Sequence, residues 1–238
     1  MDAKMVSVGD VVEFGTYPQT AEGDDKTLIK WYVINIDGGN IMLLSKYILD
    51  YRCFHENKYT TWAECDLRKW LNDDFYNTAF SEKEKAMITL NTCEGNGGEI
   101  TRARFGGKGV EKVAEKSKDT EDYVFLLSYG EAFKLSNELG RRSHAAGVGT
   151  EFAKNKGLYK HEENGFSTWW LRTRSEDLYR GQFQTMYVAA SEGYTTFPYH
   201  DGEEFVDNAG VISIYGTIND FKYGVRPAIM INRGYAHG

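Results

Sequence analysis

The sequence predicts an α+β domain made of short strands and short helices. Two apolar runs flank a tight Asp-Gly-Gly-Asn turn, which is the pattern of a β-hairpin. Three Ser or Thr residues are each followed by Glu three positions later, which is the pattern of a helix N-terminus. The chain also has 25 glycines, three prolines and 14% aromatic residues. This composition favours short strands and tight turns over a bundle of long helices.

The N-terminal region predicts three strands. The first covers residues 8–14, with a turn at residues 15–19. The second covers residues 26–37 and is apolar at successive positions, so we expect it to be buried on both faces. Gly38 and Gly39 then turn the chain into a third strand at residues 41–45.

Three helices are expected from capping boxes. In each box the N-cap hydroxyl accepts a hydrogen bond from the N3 amide, and the Glu at N3 accepts one from the N-cap amide. The pairs are Thr61 with Glu64, Ser81 with Glu84, and Ser128 with Glu131. The first helix should extend to about residue 77 and the second through residue 88. The third should stop at Gly140, since glycine favours helix C-termini.

The second half of the chain predicts further strands. Trp169 and Trp170 begin a short strand with one ring on each face, placed where two layers meet. Other strands are expected at residues 124–127, 182–190, 211–215 and 224–231, the last as one closing strand. Residues 94–122 hold six glycines followed by a run of charges, which predicts an exposed excursion from one domain spanning residues 6–232.

The net charge of −7 argues against nucleic acid as the main partner. No apolar run approaches the ~18 residues of a membrane span. The first residues lack the apolar core of a signal peptide. We therefore expect a cytoplasmic protein without a membrane span, and a virion or cell surface only through another export route.

The three cysteines, Cys53, Cys65 and Cys93, predict reduced thiols that are buried. No metal-ligand spacing occurs, so we expect no metal and no cofactor. His55 lies between Cys53 and Cys65, which leaves a Cys/His nucleophile pair as the alternative to inert thiols. Inert thiols are preferred because no third group is suggested that would orient the histidine. Arg172 and Arg226 are expected to satisfy buried carbonyls or a carboxylate.

Eight motifs resemble, in order, a large bacterial family of domains of unknown function, common in gut Firmicutes and their phages. The motifs are VEFGTYPQ at 12–19, WxV at 31–33, LLSKY at 43–47, LRKWLN at 67–72, FYNTAFS at 75–81, VFLLS at 124–128, WWLR at 169–172 and GVRPA at 224–228. The resemblance covers most of the chain.

The resemblance implies a C-type-lectin-like domain related to formylglycine-generating enzymes and to the variable proteins of diversity-generating retroelements. Small, twisted, mainly antiparallel sheets with two to three helices would then carry the WWLR and GVRPA strands. The loops between these strands would form the ligand face. The family commonly continues WWLR with Ser-Pro-Gly, whereas this chain has Thr173-Arg174-Ser175, so the first turn of the face should differ.

Two activities of related folds are excluded by the sequence. Formylglycine generation needs redox-active cysteines late in the fold, and no cysteine follows Cys93. Calcium-dependent sugar binding needs a Glu-Pro-Asn, Gln-Pro-Asp or Trp-Asn-Asp ligand set, and none occurs.

We expect a non-enzymatic module that binds a protein or glycan through this Tyr- and Gly-rich face, with a retroelement variable protein as one form of it. The expected ligand-binding residues are Arg174, Tyr179, Arg180, Gln182, Gln184, Tyr187, Tyr194, Tyr199, His200, Tyr215 and Asn219. Some of these rings could instead cover the sheet. One alternative is a hydrolase using carboxylates and His200 in the same face, and another is a structural domain of a phage or surface assembly. A deep cleft would favour the hydrolase and a flat aromatic face would favour binding.

Overall fold

The domain contains two main β-sheets with short helices packed against them, which confirms the predicted α+β class. The computed structural model describes residues 6–56, 60–95, 103–105, 108–110, 118–135, 142–162, 165–175, 184–188, 212–217 and 222–233. Buried side chains from both sheets and from the helices form one hydrophobic cluster.

The strands follow the chain in this order: β1 (Val11–Tyr17), β2 (Thr27–Asp37), β3 (Asn40–Ser45), β4 (Tyr47–Ile48), β5 (Asp50–Cys53), β6 (Ile88–Thr89), β7 (Asn91–Cys93), β8 (Ala103–Phe105), β9 (Lys108–Val110), β10 (Thr120–Asp122), β11 (Val124–Phe125), β12 (Val148–Gly149), β13 (Trp169–Ser175), β14 (Gln184–Val188), β15 (Ile212–Thr217), β16 (Lys222–Val225) and β17 (Ala228–Asn232).

The helices are short: α1 (Asp66–Trp70), a π-helical turn (Leu71–Phe75), α2 (Tyr76–Ala79), α3 (Glu82–Lys85), α4 (Tyr129–Phe133), α5 (Arg142–Ala145) and α6 (Glu151–Asn155). None of the helices in the described part of the chain has the length and apolar character needed to cross a membrane.

The first sheet has the order β1-β2-β3-β17-β11, and β6 also pairs with β17. All of its pairs are antiparallel. The β2–β3 hairpin turns at Gly38 and Gly39 as predicted, and the left-handed conformation of Gly38 (φ 56°) explains the glycine there. Strand β17, near the C-terminus, thus lies inside the sheet, between β3 from the N-terminal hairpin and β11.

The second sheet has the order β15-β14-β13-β16-β5. Its strands β13 and β16 are parallel, with Trp169 opposite Gly224, and the other pairs are antiparallel. The predicted WWLR strand therefore lies at the centre of this sheet. Strands β14 and β15 correspond to the predictions at residues 182–190 and 211–215.

The GVRPA motif is two strands and not the single closing strand that the sequence predicted. Strand β16 ends at Val225 in the second sheet, and β17 begins at Ala228 in the first. Arg226 and Pro227 make the crossing between the sheets. Pro227 donates no backbone hydrogen bond, while its carbonyl accepts one from the amide of Ser45 at 2.9 Å.

Two strand predictions near the N-terminus are wrong in detail. Strand β1 continues through Tyr17, because Gly15 (φ 70°) forms a bulge after which the pairing with β2 resumes. Strand β2 is not buried on both faces. Ile29 and Trp31 are fully buried, whereas Leu28 is 49% exposed and Lys30 is exposed, because one face of the antiparallel sheet is open at this edge.

Both serine caps are confirmed, because Ser81–Glu84 and Ser128–Glu131 form complete capping boxes. The Thr61 cap is wrong. The carbonyl of Thr61 closes a turn, and the helix begins after Cys65, whose thiol accepts from the amide of Arg68 at 3.3 Å. Of the predicted helix C-termini, one is wrong and another lies outside the described residues. Helix α3 stops at Lys85 because Ile88 joins β6, and Gly140 lies outside the described residues.

The π-helical turn fixes the helical segment to the first sheet through Asn72. Its side-chain nitrogen donates to the carbonyl of Val124 at 2.8 Å, and its oxygen accepts from the amides of Tyr123 and Val124 at 2.8 and 3.2 Å. These bonds satisfy backbone groups at the start of β11 that would otherwise be buried without partners.

The predicted excursion starts and ends in a strand pair. Strand β7 pairs with β10, so residues 120–122 belong to the folded body, and Asp122 is fully buried. Inside the segment, β8 and β9 form a hairpin. The remaining residues of the segment, 96–102, 106–107 and 111–117, lie outside the described part.

Both tryptophans of the WWLR strand are fully buried. This agrees with the prediction that the strand lies where two layers meet. Trp169 donates its indole N–H to the carbonyl of Ala145 at 3.0 Å, and Trp170 donates to the carbonyl of Arg52 at 2.8 Å. The ring of Trp170 packs edge-on against Phe54 and lies 4.4 Å from the ring of Tyr223. Each indole therefore has its polar group satisfied inside the core.

We expect Gly224→Ala to lower the free energy of unfolding by roughly 1–3 kcal/mol, because overpacking strains a tight core. A methyl group there would lie 2.5 Å from Cγ2 of Ile48 and 3.0 Å from the carbonyl oxygen of Thr168. Gly39→Ala is the control, since no atom lies within 4 Å of the added carbon. Urea denaturation measures both variants, and equal stabilities would contradict this close packing of β13, β16 and Ile48.

Candidate functional site

The second sheet places the backbones of four predicted ligand-binding residues on neighbouring strands. Arg174 on β13 pairs with Thr185 on β14. Tyr187 on β14 pairs with Trp170 on one side and Ser213 on the other, and Gln184 pairs with Ser175 and Thr217. Tyr215 lies on β15, where the register with β14 shifts.

The other seven predicted residues lie outside the described part of the chain. They are Tyr179, Arg180, Gln182, Tyr194, Tyr199, His200 and Asn219. The strand ends nevertheless show where their segments join the sheet. Residues 176–183 join it where Ser175 pairs with Gln184, and residues 189–211 join it where Val188 pairs with Trp169 and Ile212. These joins are at opposite ends of β14.

Arg172 joins the central strand to helix α4. It binds a carboxylate and a buried carbonyl, as predicted from the sequence. Its two terminal nitrogens donate to the carboxylate of Glu131 at 2.6 and 3.1 Å, and one of them also donates to the carbonyl of Leu126 at 2.7 Å. Burial alone would raise the pKa of Glu131, but Arg172 and the bonds from Ser128 outweigh it and hold that pKa below its usual value.

Arg226 is also structural, as predicted. Its guanidinium is fully buried and donates to the carbonyls of Ser45 at 2.8 Å, Ala145 at 3.2 Å and Lys46 at 3.4 Å. It also lies 5.0 Å from the ring centre of Trp169. Burial lowers the pKa of Arg226 to about 9, so it remains charged at neutral pH.

The structure shows a polar cluster that the sequence analysis missed. We define the Asp50 cluster as Tyr17, Asp50, Arg52 and Lys156. The carboxylate of Asp50 is fully buried and accepts from the hydroxyl of Tyr17 at 2.8 Å and from Nε of Arg52 at 3.3 Å. It also accepts from the amide of Tyr51 at 2.6 Å and forms an ion pair with Lys156. Burial, and then Asp50, raise the pKa of Tyr17 well above its usual value.

The Asp50 cluster joins three parts of the fold. Tyr17 ends β1 in the first sheet, Asp50 and Arg52 lie on β5 at one edge of the second, and Lys156 follows helix α6. The one local signal was the alternation of Asp50 and Arg52 after an apolar run. Tyr17 and Lys156 are too distant in sequence for any spacing rule to connect them.

The cysteines agree with the predicted buried thiols at two positions. Cys65 and Cys93 are buried, burial raises the pKa of each to about 12, and Cys53 is half-buried. No group that would orient His55 was evident from the sequence, whereas the structure places its Nδ1 2.6 Å from Oδ2 of Asp66. Among the described residues, no cluster of three His, Cys, Asp or Glu side chains could hold a metal ion.

The domain is α+β, and its second sheet carries Asp50, Arg52 and four of the predicted ligand-binding residues. Residues 38–233 match the model of a domain of unknown function, DUF6273, and the chain belongs to this family. Comparisons with curated proteins and with solved structures found no match.

We expect the Glu131–Arg172 pair to contribute stability that is lost in acid. Because the pKa of Glu131 is lowered in the folded state, its contribution is present above the unfolded pKa of about 4.3 and is lost as pH falls through the folded pKa. At neutral pH, Glu131→Gln should cost roughly 1–3 kcal/mol, because Arg172 would stay buried without its ion partner.

Urea denaturation from pH 7 to pH 3 measures this prediction. The difference in stability between the parent and Glu131→Gln should shrink as pH falls below about 4.3. The control is Glu22→Gln, which changes an exposed side chain and should leave the stability difference near zero. A Glu131→Gln difference that stays constant with pH would contradict the ion pair.

Proposed function

We propose that this domain is a non-enzymatic binding module with a C-type-lectin-like fold, and that its ligand is a protein or a glycan. The observation that carries the proposal is the register of β13, β14 and β15. It brings Arg174, Gln184, Tyr187 and Tyr215 onto adjacent strands of one sheet. Three connecting segments join this sheet, and they contain the other seven predicted residues.

The sheet provides a rigid base for such a face. Trp169 and Trp170 are fully buried in its central strand, and Arg172 fixes the same strand to Glu131 on α4. Loops on a rigid scaffold can change in sequence without loss of the fold, which suits recognition of varied ligands. Tyrosine-rich segments suit it as well, because tyrosine gives a large contact area at a low cost in conformational entropy.

The fold proposal is supported by the connectivity. The N-terminal hairpin and the C-terminal strand share the first sheet, while the second sheet holds WWLR and the GV of GVRPA side by side. The resemblance implied that the WWLR and GVRPA strands share one sheet, and the GV of GVRPA agrees with it while Ala228 does not. A retroelement variable protein is one form of this proposal. Adenine-rich codons within residues 174–223 and a template repeat near the gene would test that form.

We expect substitutions in the connecting segments to abolish binding while leaving the fold intact. Two triple-alanine variants divide the face: one replaces Tyr179, Arg180 and Gln182, and the other replaces Tyr194, Tyr199 and His200. Each central Tyr or Arg anchor contributes about 2 kcal/mol or more, so the variant that removes the anchors should bind roughly 30-fold more weakly or worse.

Binding is measured on an array of defined oligosaccharides, and by cross-linking in lysate followed by titration with each captured protein after purification. The control replaces Val11, Leu28 and Lys30, which are exposed on the first sheet, with alanine. The proposal is refuted if a specific ligand binds both triple variants as tightly as it binds the parent. Loss of the cooperative melting transition in a variant would instead place its rings in the core.

A further inference from the structure

The Asp50 cluster contains more hydrogen-bond donors than it has acceptors. Arg52, Lys156, the hydroxyl of Tyr17 and the amide of Tyr51 together provide about ten N–H and O–H donors. The acceptors are about four sites on the ionised carboxylate and at most about two on the hydroxyl oxygen of Tyr17. Asp50 accepts hydrogen bonds from Tyr17, Tyr51 and Arg52 and forms an ion pair with Lys156. Donors on the two cations therefore remain for another acceptor.

The two cations are partly open to solvent, although their shared carboxylate is not. The side chain of Arg52 is 37% exposed and that of Lys156 is 32% exposed, while Asp50 is fully buried. Both cations bind the same small group, so their heads lie close together. An approaching molecule would meet Arg52 and Lys156 and not the acid behind them.

The charges of the cluster do not cancel. Two cations share one carboxylate, and Tyr17 stays neutral because burial and Asp50 raise its pKa. A net positive charge therefore remains in a half-buried place, where charges interact more strongly than in bulk water. The chain as a whole carries a charge of −7, so the net positive charge of the cluster is opposite in sign to that of the chain.

Aromatic rings hold both cationic groups in position. The guanidinium of Arg52 lies 3.9 Å from the ring centre of Trp70, and the amine of Lys156 lies 4.9 Å from that of Phe152. The cations have thus already lost much of the rotational freedom that ligand binding would otherwise restrict. A guanidinium fork beside an ammonium group suits the oxygens of a carboxylate or phosphate.

We propose that Arg52 and Lys156 form a subsite for an oxyanion, namely a carboxylate or phosphate group of a ligand, with Asp50 and Tyr17 as positioning residues. The subsite goes beyond the proposed function, because it lies at the β5 edge of the second sheet and contains none of the residues of the Tyr- and Gly-rich face. It binds an anion whether or not that face binds a protein or glycan.

The test is titration of the intact chain with sodium phosphate and, separately, with sodium acetate, with chloride adjusted to keep the ionic strength constant. Two-dimensional NMR follows the Nε–H signal of Arg52. We expect a saturable shift of this signal with at least one anion. Arg52→Gln should weaken binding tenfold or more, measured by calorimetry, because it removes charge-assisted hydrogen bonds.

Matched variants separate the site from general attraction of anions. Lys30→Gln makes the same change in net charge at an exposed lysine on β2 and should leave the affinity unchanged. Lys156→Arg keeps the charge and should retain binding, whereas Lys156→Gln should weaken it. If Lys156→Gln does not fold, Arg52→Gln and Lys156→Arg complete the test.

The outcomes decide between a binding subsite and a purely structural cluster. If neither anion shifts the parent signal saturably, or if Arg52→Gln and Lys30→Gln bind equally well, the proposal is overturned and the cations serve only to neutralise Asp50. Tighter binding of acetate would assign a carboxylate ligand, and tighter binding of phosphate would assign a phosphorylated one. The triple-alanine variants of the ligand face should bind these anions like the parent, so the two proposals fail separately.

Discussion

The crossing at Arg226 and Pro227 holds the two sheets in one body. A buried guanidinium needs acceptors on several sides, and here they come from the end of β3, from the residue that follows it and from α5. All three acceptors are backbone carbonyls, so the contacts specify a backbone arrangement and not a particular set of neighbouring side chains. Trp169 lies against the same group and thereby connects the central strand of the second sheet to the crossing.

The other buried charges also join separate elements of the fold. Arg172 pairs with Glu131, Asp122 accepts from Arg68 and Trp62, and Asp50 is shared by two cations. Each charge joins elements that are distant in sequence, and each has partners that offset the cost of burial. The Asp50 cluster differs in that two cations share one carboxylate and are more exposed, at 37% and 32%, than Arg68 at 24% or Arg172 at 5%. This difference separates a candidate binding site from a structural ion pair.

Local features of the fold could be predicted from the sequence. Gly38 and Gly39 define their hairpin without reference to the rest of the chain, and the caps at Ser81 and Ser128 depend on contacts three residues apart. Features fixed by distant partners could not be predicted. The Cys65 cap, the sheet change at Arg226 and the meeting of Tyr17 with Lys156 all depend on tertiary packing, which has no local signature. Periodicity predicted β13, β14 and β15, but it gave neither their order in the sheet nor the parallel pairing of β13 with β16.

The interior position of β17 has a consequence for how the chain folds during synthesis. Strand β17 pairs with β3 on one side and with β11 and β6 on the other, so the first sheet cannot close until residues 228–232 have left the ribosome. Until then, β3 and β11 each present an unpaired edge next to apolar surface, which is a condition that promotes aggregation. Slow synthesis of residues 226–232 would therefore prolong the exposure of these edges.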